Sequence, residues 1–181
     1  MKFANPAPLG LFGFAVTTWM LSMFNAKWFG PDVLPLMMST AFVFGGTAQF
    51  FAGLLEYPRG NTFGFVAFCS YGAFWWAFAL YFMVLRGKDI NFAYLGAWLV
   101  VWAVFTFFMW IATLRMPNRA LRLVFLTLWV AFLLLGLSHL LNMDILHTAG
   151  GYVGMLTALI AFYLASAEVI NEANGKTVLP V

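Results

Sequence analysis

The chain has 181 residues, of which 64% are hydrophobic, 20% aromatic and only 8% charged, with a formal net charge of +3. Soluble domains carry about 25% charged residues, so this much apolar surface excludes a water-soluble fold and makes lipid the solvent. The positive charges are scattered and form no run suited to nucleic acid, and the single cysteine, Cys69, excludes an internal disulfide.

A hydrocarbon core about 30 Å thick needs roughly 20 apolar residues per crossing helix. Six segments meet that length: Leu9–Ala26, Val33–Leu55, Thr62–Leu85, Phe92–Leu114, Ala120–Leu141 and Thr148–Ile170. They predict an all-α membrane protein, one six-helix transmembrane domain over residues 1–181. The apolar runs are continuous rather than alternating, which argues against a barrel. No Ala-x-Ala cleavage site follows the first run, so it reads as a span and not as a removable leader. The connections are short and polar, as in Glu56-Tyr57-Pro58-Arg59-Gly60-Asn61, Arg86-Gly87-Lys88-Asp89 and Arg115-Met116-Pro117-Asn118-Arg119, which makes successive helices antiparallel. With six spans, Lys2, Arg59, Arg115, Arg119, Arg122 and Lys176 fall on one side, and Lys27, Arg86 and Lys88 on the other. The excess of basic residues on the first side predicts that both termini are cytoplasmic.

The entrance to the first span is Asn5-Pro6-Ala7-Pro8-Leu9-Gly10-Leu11. Prolines break helix interiors but are tolerated at a helix start, where the first N–H groups have no intrahelical partner. Asn5 is of the N-capping type. Unpaired N–H groups and the positive end of the helix dipole would suit a carboxylate there. Small residues mark close helix contacts at Ala48-x-x-x-Ala52, Gly60-x-x-x-Gly64 and Gly150-x-x-x-Gly154. Several aromatics, among them Trp19, Trp28, Tyr57, Trp75, Trp76, Tyr94 and Trp98, fit interfacial belts.

Polar residues within spans are the natural functional candidates. No Lys, Arg, Asp or Glu sits at mid-span. The inventory is neutral and includes Thr17, Thr18, Gln49, Tyr71 and Thr106. Hydroxyls often bond their own helix backbone, whereas Gln49 must face a partner helix or a wet path. Glu56 reads as an interfacial carboxylate beside Arg59, and Glu168 and Glu172 as solvated helix-end charges. His139, Asp144 and His147 flank the last connection; with no third histidine they predict no metal site, though the histidines could tune entry as pH falls. No P-loop, dinucleotide fingerprint or nucleophile–base pair is present, so the chain reads as a non-enzyme without a cofactor.

Asn5-Pro6-Ala7-Pro8-Leu9-Gly10-Leu11 resembles the signature of the acetate uptake transporter family, the succinate–acetate permeases. The likeness continues through Gly13-Phe14, Thr17-Thr18, Gly45-Gly46-x-Ala48-Gln49, Phe51-Ala52-Gly53-Leu54-Leu55-Glu56-Tyr57, Gly60-Asn61-Thr62-Phe63-Gly64, Ser70-Tyr71-Gly72-x-Phe74-Trp75 and Glu168-Val169-Ile170-Asn171-Glu172. It implies a bacterial inner-membrane permease, a homohexamer of six-helix protomers, each around its own central path, in a fold resembling the proton-gated urea channels. It also implies an apolar constriction at Phe14, Tyr71 and Leu128, a polar position beside the path at Gln49, and a size-setting small residue at Ala161. Asn5, Thr17 and Thr18 are the remaining candidates for substrate contact, with the Tyr71 hydroxyl as a further donor.

The expected activity is passage of acetate and related short carboxylates, such as succinate, lactate and propionate, linked to protons. Moving a bare carboxylate through an apolar ring is costly, so the protonated acid, or an anion moving with a proton, is the expected cargo. A channel for small neutral solutes such as urea or ammonia needs the same narrow neutral path and is the alternative. A non-transporting membrane subunit is disfavoured because little extramembrane surface remains to hold a partner.

Overall fold

The computed structural model describes residues 4–85 and 90–181; Lys2 and the connection Arg86–Asp89, used above for orientation, lie outside the described residues. Six helices are long and apolar enough to cross a membrane. We label them α1 (Ala7–Asn25), α2 (Pro31–Arg59), α3 (Thr62–Leu85), α4 (Phe92–Thr113), α5 (Arg119–Leu141) and α6 (Asp144–Asn174).

Local chemistry sets their ends. Asn91 and Asn118 cap α4 and α5 by accepting from the Tyr94 and Leu121 amides at 2.9 and 2.8 Å, the usual service of an N-cap side chain. Asn142, with φ 52°, and Gly175, with φ 63°, stop α5 and α6 in the left-handed region. Gly60 stops α2 in the same way at φ 71°, and a Cβ placed on it would meet nothing within 4 Å. Gly60-x-x-x-Gly64 is therefore not a packing pair: Gly60 is needed for its backbone angle, and Gly64 alone faces a neighbour.

Helix α2 is irregular. A 3₁₀ turn opens it, and Ala41–Ala48 is wound as a π-helix before α-geometry resumes at Gln49–Glu56. The Thr47 hydroxyl donates to the Phe42 carbonyl five residues back at 3.1 Å and accepts from Trp76 Nε1 at 3.1 Å. Gly45 and Gly46 bring this segment onto the Trp75 and Trp76 rings. Wide turns of this kind are rare and are found mostly at functional sites.

Side by side, the helices run in the order α3, α2, α1, α6, α5, α4. The remaining gap, between α3 and α4, is filled by aromatic rings. Phe74 stacks on Trp98 with centroids 4.9 Å apart, and Tyr71 meets Trp102 at 6.0 Å and Phe105 at 5.5 Å. Trp75 and Trp98 are thus not belt residues. Trp75 is 3% exposed, and Trp98 packs into the same central cluster. Trp28, Tyr57 and Tyr94 stand exposed near helix ends.

The close approach of α6 to α1 depends on small residues. A Cβ on Gly151 would lie 2.5 Å from the Ala26 nitrogen and 2.8 Å from the Asn25 carbonyl carbon, both backbone atoms that cannot swing aside. Gly151→Ala should therefore force the two helices apart and cost about 1–3 kcal/mol. A lowered melting temperature in detergent, compared with the parent, checks this.

Candidate functional site: two cavities with three lining residues in common

Between the helices lie two cavities. The larger, about 120 Å³, is bordered by Gln49, Asn61, Phe125 and Glu168 among others. The smaller, about 40 Å³, is bordered by Thr18, Ser22, Asn25 and Trp75 among others. They share three lining residues, Phe14 from α1, Tyr71 from α3 and Leu128 from α5. These are 5%, 3% and 5% exposed, and all belong to one buried cluster. Phe14, Tyr71 and Leu128, the residues named above for a constriction, thus border both spaces.

Tyr71 holds the centre of this group. Its ring contacts Phe14 at 6.1 Å, Phe125 at 6.1 Å and, stacked, Phe132 at 6.5 Å, besides Trp102 and Phe105. Its hydroxyl lies 2.8 Å from Thr106 Oγ1 on α4. Rings packed on every side leave the phenol one orientation.

The polar lining differs between the two spaces. In the larger cavity Gln49 is 1% exposed and its Oε1 has no hydrogen-bond donor. Asn61 caps α3 by accepting from the Gly64 amide at 3.0 Å and donates to Glu56 Oε2 at 3.0 Å. Glu56, 1% exposed, also faces Arg59 Nε at 3.5 Å. In the smaller cavity Thr18 Oγ1 and Trp75 Nε1 are buried without partners.

All of residues 1–181 match the GPR1/FUN34/yaaH family. The chain belongs to this family. It is 46% identical to the succinate-acetate/proton symporter SatP of Escherichia coli strain K12, over 99% of this chain and 96% of that protein. Its fold matches the solved structure of the bacterial acetate channel SatP with a TM-score of 0.93 and 43% identity, covering 99% of each chain. It is also 40% identical to the ammonia transport outward protein 2 of Saccharomyces cerevisiae, over 96% of this chain and 64% of that protein.

Set in this family member, the remaining expectations divide. Thr17 is corrected. Its hydroxyl donates to the Gly13 carbonyl at 2.7 Å, its side chain abuts Gly45, and it lines neither cavity. It is a packing residue between α1 and α2. Ala161 is fully buried in the central cluster but borders neither cavity.

Asn5 is engaged within the protein. Its Oδ1 accepts from the Ala7 amide at 3.2 Å and its Nδ2 donates to Glu168 Oε2 at 3.0 Å. The Leu9 and Gly10 amides both turn back to the Pro6 carbonyl, at 3.1 and 3.3 Å, and Pro8 has no N–H. The start of α1 therefore keeps no spare donor for an anion, and Asn5 is a tether between α1 and α6.

Glu168 is the residue that sequence reasoning missed. It is not a solvated end charge; it is half-buried and borders the larger cavity. A signal existed. Ala161, Leu164 and Ala165, all buried, stand seven, four and three residues before it, so it continues their helix face. Asn61, Asn25 and Trp75 were missed for a different reason: nothing in their spacing says which way they point.

At the other end, His139 and His147 lie 5.3 Å apart, His147 Nδ1 is 3.2 Å from the Asn25 carbonyl, and Lys27 pairs with Asp144 at 2.9 Å. The Lys27–Asp144 pair is exposed and contributes little.

Asn5→Ala should remove the tether and leave the Ala7 N–H and the Glu168 carboxylate each short of a partner. The expected cost is about 1–3 kcal/mol. Thermal unfolding in detergent would show it, and Asn5→Ser, which keeps an acceptor for Ala7, should recover only part.

Proposed function

We propose that this chain moves acetate and related short carboxylates, including succinate, lactate and propionate, across the inner membrane together with protons. The observation that carries this reading is the sharing of Phe14, Tyr71 and Leu128 by the two cavities. An apolar divide between two small polar-edged spaces repels water and hydrated ions by dewetting. A short carboxylic acid has one apolar end that tolerates such a ring and one polar end that needs hydrogen bonds only on either side of it. Gln49 in the larger space and Thr18 in the smaller one supply those bonds without fixed charge.

The family relatives support the substrate class, since one is named for succinate, acetate and protons and another for acetate. In our reading the protomers assemble as a hexamer in a fold resembling the proton-gated urea channels, each with its own path and its outer aliphatic faces against lipid or neighbouring copies. Both termini face the cytoplasm. The placement of Arg59, Arg115, Arg119, Arg122 and Lys176 on the side of the termini supports this. Glu168 then stands at the cytoplasmic end of the larger cavity, and His147, which borders neither cavity, near the outer end of α6.

Crossing the divide as a bare anion carries a large desolvation cost, so the neutral acid is the species that passes. Its share of total acetate falls roughly tenfold for each pH unit above the carboxyl pKa. Uptake into proteoliposomes at fixed total acetate should therefore fall as external pH rises from about 5 to about 8. Equal rates across that range, with no compensating potential, would defeat the proton link.

The yeast relative named for ammonia favours a second reading, a path for small neutral solutes. Competition separates the two: acetate and succinate should suppress labelled acetate uptake, and ammonia or urea should not. Gln49→Ala and Tyr71→Ala should each change acetate flux or selectivity about tenfold or more, the worth of one buried hydrogen bond to a charged or polar end. Parental rates and selectivity in both would remove Gln49 and Tyr71 from the path.

A further inference from the structure

The hydrogen bond between Tyr71 and Thr106 has a direction, and it decides what the pinch offers a substrate. Thr106 is fully buried on α4 and borders neither cavity. Its Oγ1 lies 2.7 Å from the Trp102 carbonyl, one turn back on the same helix, and 2.8 Å from the Tyr71 hydroxyl. A carbonyl can only accept, and two oxygens 2.7 Å apart without a proton between them repel. The one Thr106 proton is therefore on the Trp102 carbonyl. Thr106 can only accept from Tyr71, so the phenol proton points at Thr106, away from the path.

We infer that Thr106 is a specificity-determining residue that turns Tyr71 into an acceptor-only group and thereby selects the protonated acid over its anion at the pinch. This rests on the carboxylate reading given above. Tyr71 borders both cavities, and a phenol whose proton is committed has only lone pairs left to offer a solute there. Donating one hydrogen bond makes its oxygen a better acceptor. Lone pairs welcome the O–H of a carboxylic acid and repel a carboxylate oxygen. The Tyr71 hydroxyl is thus corrected from a carboxylate donor, as the sequence suggested, to the opposite role.

Nothing charged next to the phenol competes with this effect. The groups packed on Tyr71 are Phe14 from α1, Trp102, Phe105 and Thr106 from α4, and Phe125 and Phe132 from α5. Among the described residues, the other ionisable side chain bordering either cavity is Glu168, on α6 at the far end of the larger one, with Glu56 of α2 behind Asn61.

Acetate uptake by proteoliposomes of the parent, Thr106→Val, Thr106→Ser and Thr106→Val/Tyr71→Phe, measured across pH at fixed total acetate, tests the inference. Valine keeps the shape and removes the acceptor, so the Tyr71 proton is free to turn toward the path and greet an anion. The ratio of uptake at low to high pH should shrink about tenfold in Thr106→Val. Thr106→Ser should restore the parental ratio, and the double variant, which has neither a phenol proton to free nor a phenol oxygen to accept, should fall between Thr106→Val and the parent, because the apolar ring still disfavours an anion. A parental ratio in Thr106→Val, or a double variant as flat as Thr106→Val, overturns the inference. If Thr106→Val does not assemble, Thr106→Ala is read by the same criteria. A parent with no acetate uptake, or with a flat profile, would instead refute the carboxylate reading itself.

Discussion

The whole arrangement depends on one ring being immovable. Tyr71 is wedged between α3, α4, α5 and α1 by five aromatic neighbours within 6.5 Å. In lipid there is no hydrophobic force to press helices together, so close association has to come from shape and from internal hydrogen bonds. Small residues provide the shape where α6 meets α1. Between α3 and α4 large rings do so instead, on the side of Tyr71 away from the cavities, which α4 does not line. The divide and the helix packing are the same set of contacts.

Polar accounting explains why the middle of the protein is neutral. A buried polar atom without a partner is costly, and most are satisfied here at once by the nearest backbone. Thr17, Thr113, Thr127, Ser138 and Thr157 all donate to carbonyls three or four residues back. Among the described residues six such atoms lack a partner; Gln49 Oε1, Thr18 Oγ1 and Trp75 Nε1 belong to residues that border the cavities, while Glu56 Oε1, Trp110 Nε1 and Arg122 Nε do not. The buried Glu56 and the half-buried Glu168 stand at one end, where Asn5, Asn61 and Arg59 attend them. Unsatisfied neutral groups along a path are tolerable because a passing solute can satisfy them in turn, whereas an unsatisfied charge would hold the solute fast.

Much of this was legible in the sequence. Apolar runs of helical length give the six crossing helices, because in a bilayer length and hydropathy leave few alternatives. Phe14, Tyr71 and Leu128 come from three helices and were brought together by family likeness; no periodicity links them. What stayed hidden has a common cause. In an amphipathic soluble helix the buried face is written in the pattern of polar and apolar residues, but a membrane helix is apolar all round, so direction is lost. Trp75 read as a belt residue and sits in the core. Thr17 and Thr18 are adjacent and alike, yet only Thr18 faces a cavity. The π-helical turn of α2, which shifts the register of everything after Ala48, left no mark beyond Gly45-Gly46.

The two cavities are not equivalent, and the difference bears on how a proton and a carboxylate can travel together. Trp75 N–H in the smaller space is a donor without an acceptor, and Thr18 can donate beside it. The larger space offers Gln49 Oε1 and the Glu168 carboxylate as acceptors, beside the amide groups of Gln49 and Asn61. Donors favour the ionised acid and acceptors the neutral one, because a carboxylate has only lone pairs to give and a carboxylic acid has a proton. On the proposed reading, a solute passing from the smaller to the larger space would meet donors first and acceptors afterwards, with the Phe14, Tyr71 and Leu128 side chains between them. Coupling of this kind would need no mid-membrane carboxylate, since the proton would ride on the substrate and the path would only have to prefer that form at its narrowest point.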